Sequence, residues 1–308
     1  MKTKIALPLV AVLLAALAWT FVKRPLSVPK TMGPALPPAA LVDGVSFSVI
    51  AGADMKSQQG FSVRGGSLTK SFISGLAAFM IEHPQGRLLI DAGVAREVRQ
   101  HLETTPLLLR ILASLAVKQP TIDALAARGL GPGDLRAIVL THSHWDHVSG
   151  LADLRDVPVW ITAEELAHAR SEDEGGKLYR QLEAEDPLQL HDLAFIDDAY
   201  GPFAASHDFF GDGSVVIVPM PGHTPGSVAV FVNLPSGKRF LIIGDTSWTK
   251  EGVDWPAEKP WLARRMVDFD AAGVREQLVL LHQLQRANPD LTIVPAHDAR
   301  VHATIAAF

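Results

Sequence analysis

Cysteine is absent from the 308-residue chain. That absence removes disulfide frameworks, anchoring through a lipidated Cys, thiolate zinc sites and Cys nucleophiles. It carries no information on compartment, because a chain of this length folds without covalent staples. Long apolar runs are scarce too: only residues 5–22 are apolar enough to span a bilayer, which excludes a polytopic membrane protein. Internal repeats are missing. Basic charge is in deficit, with 28 Lys and Arg against 33 Asp and Glu and a net charge of −5. Lys2, Lys4, Lys23, Arg24 and Lys30 fall in the first 30 positions, where there is no acid, so residues 31–308 hold the other 23 basic side chains and all 33 acidic ones. An acidic body argues against nucleic acid as a partner. What is present suits a buried core: 48% of residues are hydrophobic and 20% charged, which is not the composition of a disordered chain.

Lys2 and Lys4 precede the apolar run 5–22, and Ala16-Leu17-Ala18 offers a small-x-small cleavage site. Residues 1–22 therefore read as either a signal peptide or a retained membrane anchor, and the expected location is exported, periplasmic or membrane-anchored. Pro25, Pro29, Pro34, Pro37 and Pro38 forbid a helix across residues 23–43, which read as an extended tether. A single folded domain is expected over residues 44–308.

Within that domain, alternating or β-rich apolar runs predict strands at 45–50, 76–82, 87–90, 136–141, 157–161, 214–218, 227–232, 239–243 and 291–294. His83-Pro84-Gln85-Gly86 reads as the hairpin turn between the second and third. Thr162 and Glu165 read as a capping box opening a helix over 164–170. Val274, Leu278, Leu281 and Leu284 lie on one face of an amphipathic helix. Strands outnumber helices, yet helices occur in both halves. The pattern predicts an α/β (α+β) domain in which two sheets pack face to face with helices outside.

The strand at 136–141 runs into Thr141-His142-Ser143-His144-Trp145-Asp146-His147. An extended segment puts His142 and His144 on one side, because side chains alternate with period two. Asp146 and His147 converge beside them only if the chain then turns. Imidazole and carboxylate are what zinc takes when no cysteine is present. Four further segments share one form, in which an apolar strand ends and a ligand-type residue follows: Asp91 after Ile90, His223 in Pro221-Gly222-His223, Asp245 after Gly244, and His297 in Pro295-Ala296-His297. Polar groups set on glycine or proline turns at strand ends collect at one edge of a sheet, where sites are built.

The order Asp91, His142-x-His144-x-Asp146-His147, His223, Asp245, His297 resembles the metallo-β-lactamase superfamily over about residues 45–300. The resemblance implies a four-layer αββα sandwich with two divalent metal ions at one edge, zinc first among them and iron or manganese also fitting. It implies that His142, His144 and His223 hold one ion, that Asp146, His147 and His297 hold the other, that Asp245 bridges them, and that Asp91 supports the ligands from behind. A hydroxide held between the ions would attack a carbonyl, with Asp245 in the bridge and Asp146 relaying a proton to the leaving group. Asp245 stands where true β-lactamases of the family commonly carry Cys or Ser. The motifs PGHTPGS at 221–227, DTSWTKE at 245–251 and HD at 297–298 are similar to the N-acyl-homoserine lactone lactonases. Those lactonases carry a tyrosine near the substrate carbonyl three residues after the bridging aspartate, and here that residue is Trp248. The expected partner is a small-molecule carbonyl substrate, a lactone or related ester. The alternatives are a thioester, as in glyoxalase II, or a β-lactam-like amide, with a non-catalytic metal-binding protein behind them. A membrane tether through residues 5–22 is a further expectation.

Trp145, between ligands, reads either as a wall of the substrate pocket or as packing under the loop. Leu107, Leu108, Ile111, Leu112 and Leu115 read as a helix docked on its own core, ahead of an acyl-chain groove or a membrane contact. His101, His168, His282 and His302 read as solvated, His191 and His207 as weak candidates for specificity, and residues 172–174 as a wet loop.

Overall fold

Two long strands pair antiparallel from Ser46↔Glu82 to Gln58↔Ser71: β1 (Ser46–Gln58), whose burial alternates at its start, and β2 (Ser71–Glu82), buried almost continuously from Gly75 to Ile81. The computed structural model describes residues 15, 18–31 and 33–308. Around the long pair assemble β3 (Arg87–Ile90), β4 (Ser114–Val117), β5 (Leu135–Val139), β6 (Val159–Ile161), β7 (Leu190–Asp192) and, at the far end of the chain, β13 (Ala306–Ala307). Their order is β13-β1-β2-β3-β5-β6-β7, with β4 also paired to β1. The second sheet has the order β12-β11-β10-β9-β8, made from β8 (His207–Asp208), β9 (Val215–Pro219), β10 (Val228–Asn233), β11 (Arg239–Ile242) and β12 (Leu291–Val294). The strands β9, β10 and β11 run antiparallel, and β11 pairs β12 in parallel.

The buried side chains sort into layers. Phe79, Ile81, Ile90 and Val139 of the first sheet meet Ile217, Val230, Phe240 and Ile242 of the second in one cluster. Leu89, Ile138 and Val159 face the other way, onto Leu125, Val148, Leu178 and Tyr179 from the helices outside. Val218, Phe231 and Leu241 pack under Leu281 and Leu284 of the long helix Ala271–Ala287. The order is helix, sheet, sheet, helix. Each fully buried aliphatic or aromatic side chain contributes roughly 1.5–3 kcal/mol, so the inter-sheet layer alone supplies a large share of the driving force. The helix Ala271–Ala287 buries Val274, Leu278, Leu281 and Leu284, the four positions that its periodicity marks.

Three local expectations change. Residues 107–115 do not form a core helix. The helix Leu107–Leu112 buries none of its residues, and Leu115 lies in β4. Thr162 does cap the helix Ala163–Arg170, accepting from Glu165 N at 3.1 Å, but the Glu165 carboxylate does not close a capping box. It is buried and serves other donors, described below. His302 and His168 are buried rather than solvated; His101 Nδ1 lies 2.9 Å from Ser149 Oγ, and His282 Nδ1 donates to Val253 O at 2.9 Å.

Most of the apolar run 5–22, read as a signal peptide or membrane anchor, lies outside the described residues. Among those described, no helix is long and apolar enough to cross a membrane. Residues 23–31 and 33–43 carry no helix or strand, consistent with five prolines. They lie on the body: Leu26 N donates to Pro256 O at 2.8 Å, and Leu36 N donates to Asn288 Oδ1 at 3.0 Å.

Candidate metal centre

The turn needed after His144 is present. β5 ends at Val139, His142 and His144 follow in extended chain, and the short helix Trp145–Val148 swings Asp146 and His147 back beside them. The ends of β9, β11 and β12 bring His223, Asp245 and His297 to the same edge. The ligand atoms form two groups. His142, His144, His223 and Asp245 make one, Asp146, His147 and His297 the other, and within each group all ligand atoms lie within 4.8 Å of one another. Asp245 faces both. Its Oδ2 is 3.6 Å from His223 Nε2, and its Oδ1 is 3.4 Å from His147 Nε2 and 3.0 Å from His297 Nε2. Asp146 Oδ2 is 3.3 Å from His297 Nε2.

Outer hydrogen bonds aim the imidazoles. His147 Nδ1 donates to Asp91 Oδ2 at 2.7 Å, His223 Nδ1 to Asp268 Oδ1 at 2.9 Å, His142 Nδ1 to Thr141 Oγ1 at 3.1 Å and His297 Nδ1 to Gly75 O at 3.1 Å. With Nδ1 engaged, each Nε2 points inward, the arrangement by which outer partners fix ring orientation at metal sites. His144 is the exception: its Nδ1 points inward, 2.9 Å from His223 Nε2. Its Nε2 lies against Gly175, where an added Cβ would overlap the ring.

Asp91 is fully buried and accepts from Thr141 N at 2.7 Å, Thr141 Oγ1 at 2.9 Å and His147. Its φ of 59° makes it the one non-glycine among the described residues with a left-handed backbone. Asp tolerates that region better than most residues, and three hydrogen bonds hold it there.

Three residues support the centre that the sequence does not mark as part of it. Glu165 is buried and takes four donors, Ser143 N at 2.7 Å and Ser143 Oγ at 2.6 Å on one oxygen, Thr224 Oγ1 at 2.5 Å and Gly226 N at 3.2 Å on the other. It ties the His142–His144 loop to the His223 loop. Asp268, beyond its bond to His223, takes the ammonium of buried Lys259 at 2.8 Å, and Lys259 also donates to Asp245 O at 2.7 Å. Burial alone would raise the Asp268 carboxyl, but Lys259 and then His223 hold it below the ordinary range.

Electrostatics divide the histidines. Burial, reinforced by neighbouring imidazoles, pushes His142 and His144 well below the ordinary value, favouring the neutral ring. Burial opposes charge on His147 as well, yet Asp91 and Asp245 outweigh it and hold the imidazolium well above its usual range. His297 is raised against burial by Asp245 and Asp146. Asp245 is pushed up by burial but held well down by His297 and His147. The carboxylates thus create a place for positive charge. Of the buried atoms that face it, His142 Nε2 has no hydrogen-bond partner among the described residues, and His147 Nε2 and Asp245 Oδ1 approach ionic partners without well-formed hydrogen-bond geometry. Buried polar atoms are rarely left so, and inward imidazole nitrogens with carboxylate oxygens are a donor set for divalent cations. The residues fit a metal.

The centre floors a cleft of about 200 Å³ reached by His144, Asp146, Asp245 and His297. Trp145 and Trp248 both line it. Trp145 also packs on the core outside the first sheet. Trp248 does not hold its N–H toward a substrate: Nε1 donates to Asp245 Oδ2 at 2.7 Å. Apolar walls come from the helices Leu107–Leu112 and Trp261–Val267, with Phe21 from the N-terminal segment. His191 stacks on Trp160, with ring centroids 5.4 Å apart, and neither His191 nor His207 lines the cleft.

Comparison with known proteins agrees with this architecture. A model described as the metallo-beta-lactamase superfamily matches residues 76–297. A probable metallo-hydrolase of Mycobacterium tuberculosis is 31% identical, covering 71% of this chain and 73% of that protein. The N-acyl homoserine lactonase AttM of Rhizobium radiobacter is 27% identical, covering 71% of this chain and 80% of its own. Among solved structures, a B. thuringiensis AiiA variant with N-decanoyl-L-homoserine bound at the active site superposes with a TM-score of 0.66 at 18% identity, covering 87% of this chain and 98% of that one. At that identity the likeness is one of fold.

Proposed function

The chain belongs to the metallo-beta-lactamase superfamily and is a metal-dependent hydrolase, and from that premise we propose that it binds two divalent ions and opens a lactone or related ester bearing an apolar acyl group. The observation that carries this reading is the gathering of seven His and Asp side chains into two adjacent groups on the floor of an apolar cleft. In this reading His142, His144 and His223 hold one ion, Asp146, His147 and His297 the other, and Asp245 offers one oxygen to each. Bound divalent ions would supply water acidified to near-neutral pKa and a Lewis acid for the carbonyl oxygen.

The chain's own groups do the rest. Asp91, Asp268, Thr141 and the Gly75 carbonyl keep four imidazoles in register, so little reorganisation accompanies reaction. Asp146, half-buried and lining the cleft, would give the leaving alkoxide its proton in this reading. Trp248 orients Asp245 through its N–H and turns its ring to the cleft, so it acts as a wall and a positioning group rather than as a donor to the carbonyl. The apolar walls exclude water from an acyl chain. Relatives named N-acyl homoserine lactonases support the lactone over the thioester or amide.

The test is a hydrolysis screen of metal-loaded protein against acyl lactones of increasing chain length, thioesters and β-lactams. Acyl lactones turned over with the highest kcat/KM, rising with chain length, is the expected result. Preference for a thioester or β-lactam would replace the substrate assignment.

A further inference from the structure

The two helices that wall the cleft each divide into an inner and an outer stripe. In Leu107–Leu112, Leu108, Leu109 and Leu112 line the cleft, while Leu107 and Ile111 point away and are 62% and 69% exposed. In Trp261–Val267, Leu262, Ala263, Met266 and Val267 line it, while Trp261 stands 49% exposed with Arg265 one turn on. The outer stripes satisfy no core, and their spacing of four places each pair on a single helix face. Isolated exposed apolar residues need no explanation, but a set gathered on the rim of one cleft marks an interaction surface.

Two further observations identify what lies against this rim. The N-terminal segment arrives there. Phe21 lines the same cleft and packs edge-on against Phe61 at 5.9 Å, Trp19 is 58% exposed, and Arg64 Nε and Nη2 hold Val22 O and Trp19 O at 3.0 and 3.1 Å. Residues 19–22 therefore lie beside the rim. Second, the chain then passes a basic cluster: Arg24, Arg64, Arg264 and Arg275 surround Glu258 in one hollow. Glu258 pairs with Arg64, Arg264 and Arg275, at 3.9 Å to Arg64 and 2.5 Å to Arg275. Four guanidinium groups against one carboxylate make a local excess of positive charge on a chain whose net charge is −5.

We propose that the rim of the cleft docks on an anionic phospholipid surface, with Leu107, Ile111, Trp261 and Trp19 entering the interfacial region and the exposed Arg24 and Arg265 and the part-exposed Arg275 facing the headgroup phosphates. Apolar side chains flanked by arginine are the composition of an interfacial membrane contact, Trp favours the headgroup level, and anionic lipid attracts a basic patch even on a protein of net negative charge. A water-soluble protein partner would also cover the apolar stripes, but it would not account for the exposed arginines converging on the side where Trp19 and Phe21 lie. This surface is independent of the substrate assigned above.

The absence of cysteine makes the test direct. Single Ile111→Cys and Trp261→Cys variants of the full chain carry an environment-sensitive dye, with Ser236→Cys as control. Ser236 is exposed in the turn between β10 and β11, at the end of those strands opposite Asp245. On addition of vesicles of phosphatidylcholine and phosphatidylglycerol, dye at 111 and 261 should brighten and shift to the blue, and lipid-attached quenchers should extinguish it, while dye at 236 stays unchanged. Replacing Arg24 and Arg265 by Gln should lower vesicle affinity by about fivefold per arginine, and vesicles of phosphatidylcholine alone should bind more weakly. Dye at 111 and 261 that stays aqueous while the protein sediments with vesicles would show that residues 5–17 alone hold the membrane and would overturn the proposal. Dye already shielded without vesicles would overturn it too, by showing the rim covered by the chain itself or, if the shielding rises with protein concentration, by a second copy.

Discussion

The indole of Trp248 donates to Oδ2 of Asp245 at 2.7 Å, while Oδ1 of the same carboxylate faces His147 and His297. One side chain therefore sets the rotation of the group that stands between the two ligand clusters. Trp248→Phe keeps the ring and removes the donor. It should weaken retention of metal about 10-fold, as loss of an outer partner does, read by competition with a coloured chelator. Unchanged metal affinity would show that Asp245 is oriented without the indole.

Lys259, Asp268 and His223 form a buried chain that ends at the first ligand group. Asp268→Asn leaves the His223 ring without its charged partner and should cost roughly 10–100-fold in metal affinity. Lys259→Met leaves Asp268 buried with its cation gone and should destabilise the fold by about 3–5 kcal/mol, measured by urea unfolding. A Met variant of unchanged stability would mean that the ion pair is neutral to folding.

Gly175 sits where only hydrogen is accommodated beside His144 Nε2. Gly175→Ala should displace that ring and lower metal affinity at the first group while leaving the fold's cooperative unfolding intact. Equal metal affinity in the variant would show that the loop carrying residue 175 yields instead.

His302 is buried, donates to Pro295 O at 3.0 Å and meets the edge of Phe79. Burial lowers it from 6.5 to about 4. The unfolded chain takes up the proton first as pH falls, so stability is full above 6.5 and is lost as pH falls toward 4. The loss for this group is about 3 kcal/mol, at roughly 1.4 kcal/mol per pH unit. Urea unfolding of metal-free wild type and His302→Gln at about pH 7.5 and about pH 4 should show the variant losing less by that amount. Parallel losses would place the acid sensitivity elsewhere.

These relationships differ in how far the sequence announces them. The ligand-type residues lie at the ends of apolar strands, so a period-two pattern followed by a turn locates them without a structure. The face of the helix Ala271–Ala287 was legible for the same reason, since its four buried residues follow the 3.6-residue period. Asp268, Lys259 and Glu165 were not legible. Each is a single charged residue outside a strand end, and its role exists only through partners 45, 14 and up to 61 positions away. Glu165 was misread for a further reason: four donors from two loops outcompete the one backbone N–H that a capping box would offer. The helix Leu107–Leu112 misled in the opposite sense, because apolar spacing reports a face and not what lies against it. Here the face lines a cleft and a rim instead of a core.

The account turns on Asp245 joining two occupied ligand groups, and metal stoichiometry tests that most directly. Metal-free protein titrated with Zn2+ and followed by calorimetry, with elemental analysis of the saturated product, should bind two equivalents per chain, and Asp245→Ala should retain at most one. A wild-type chain that saturates at one equivalent, or an Ala variant that keeps both, would contradict it.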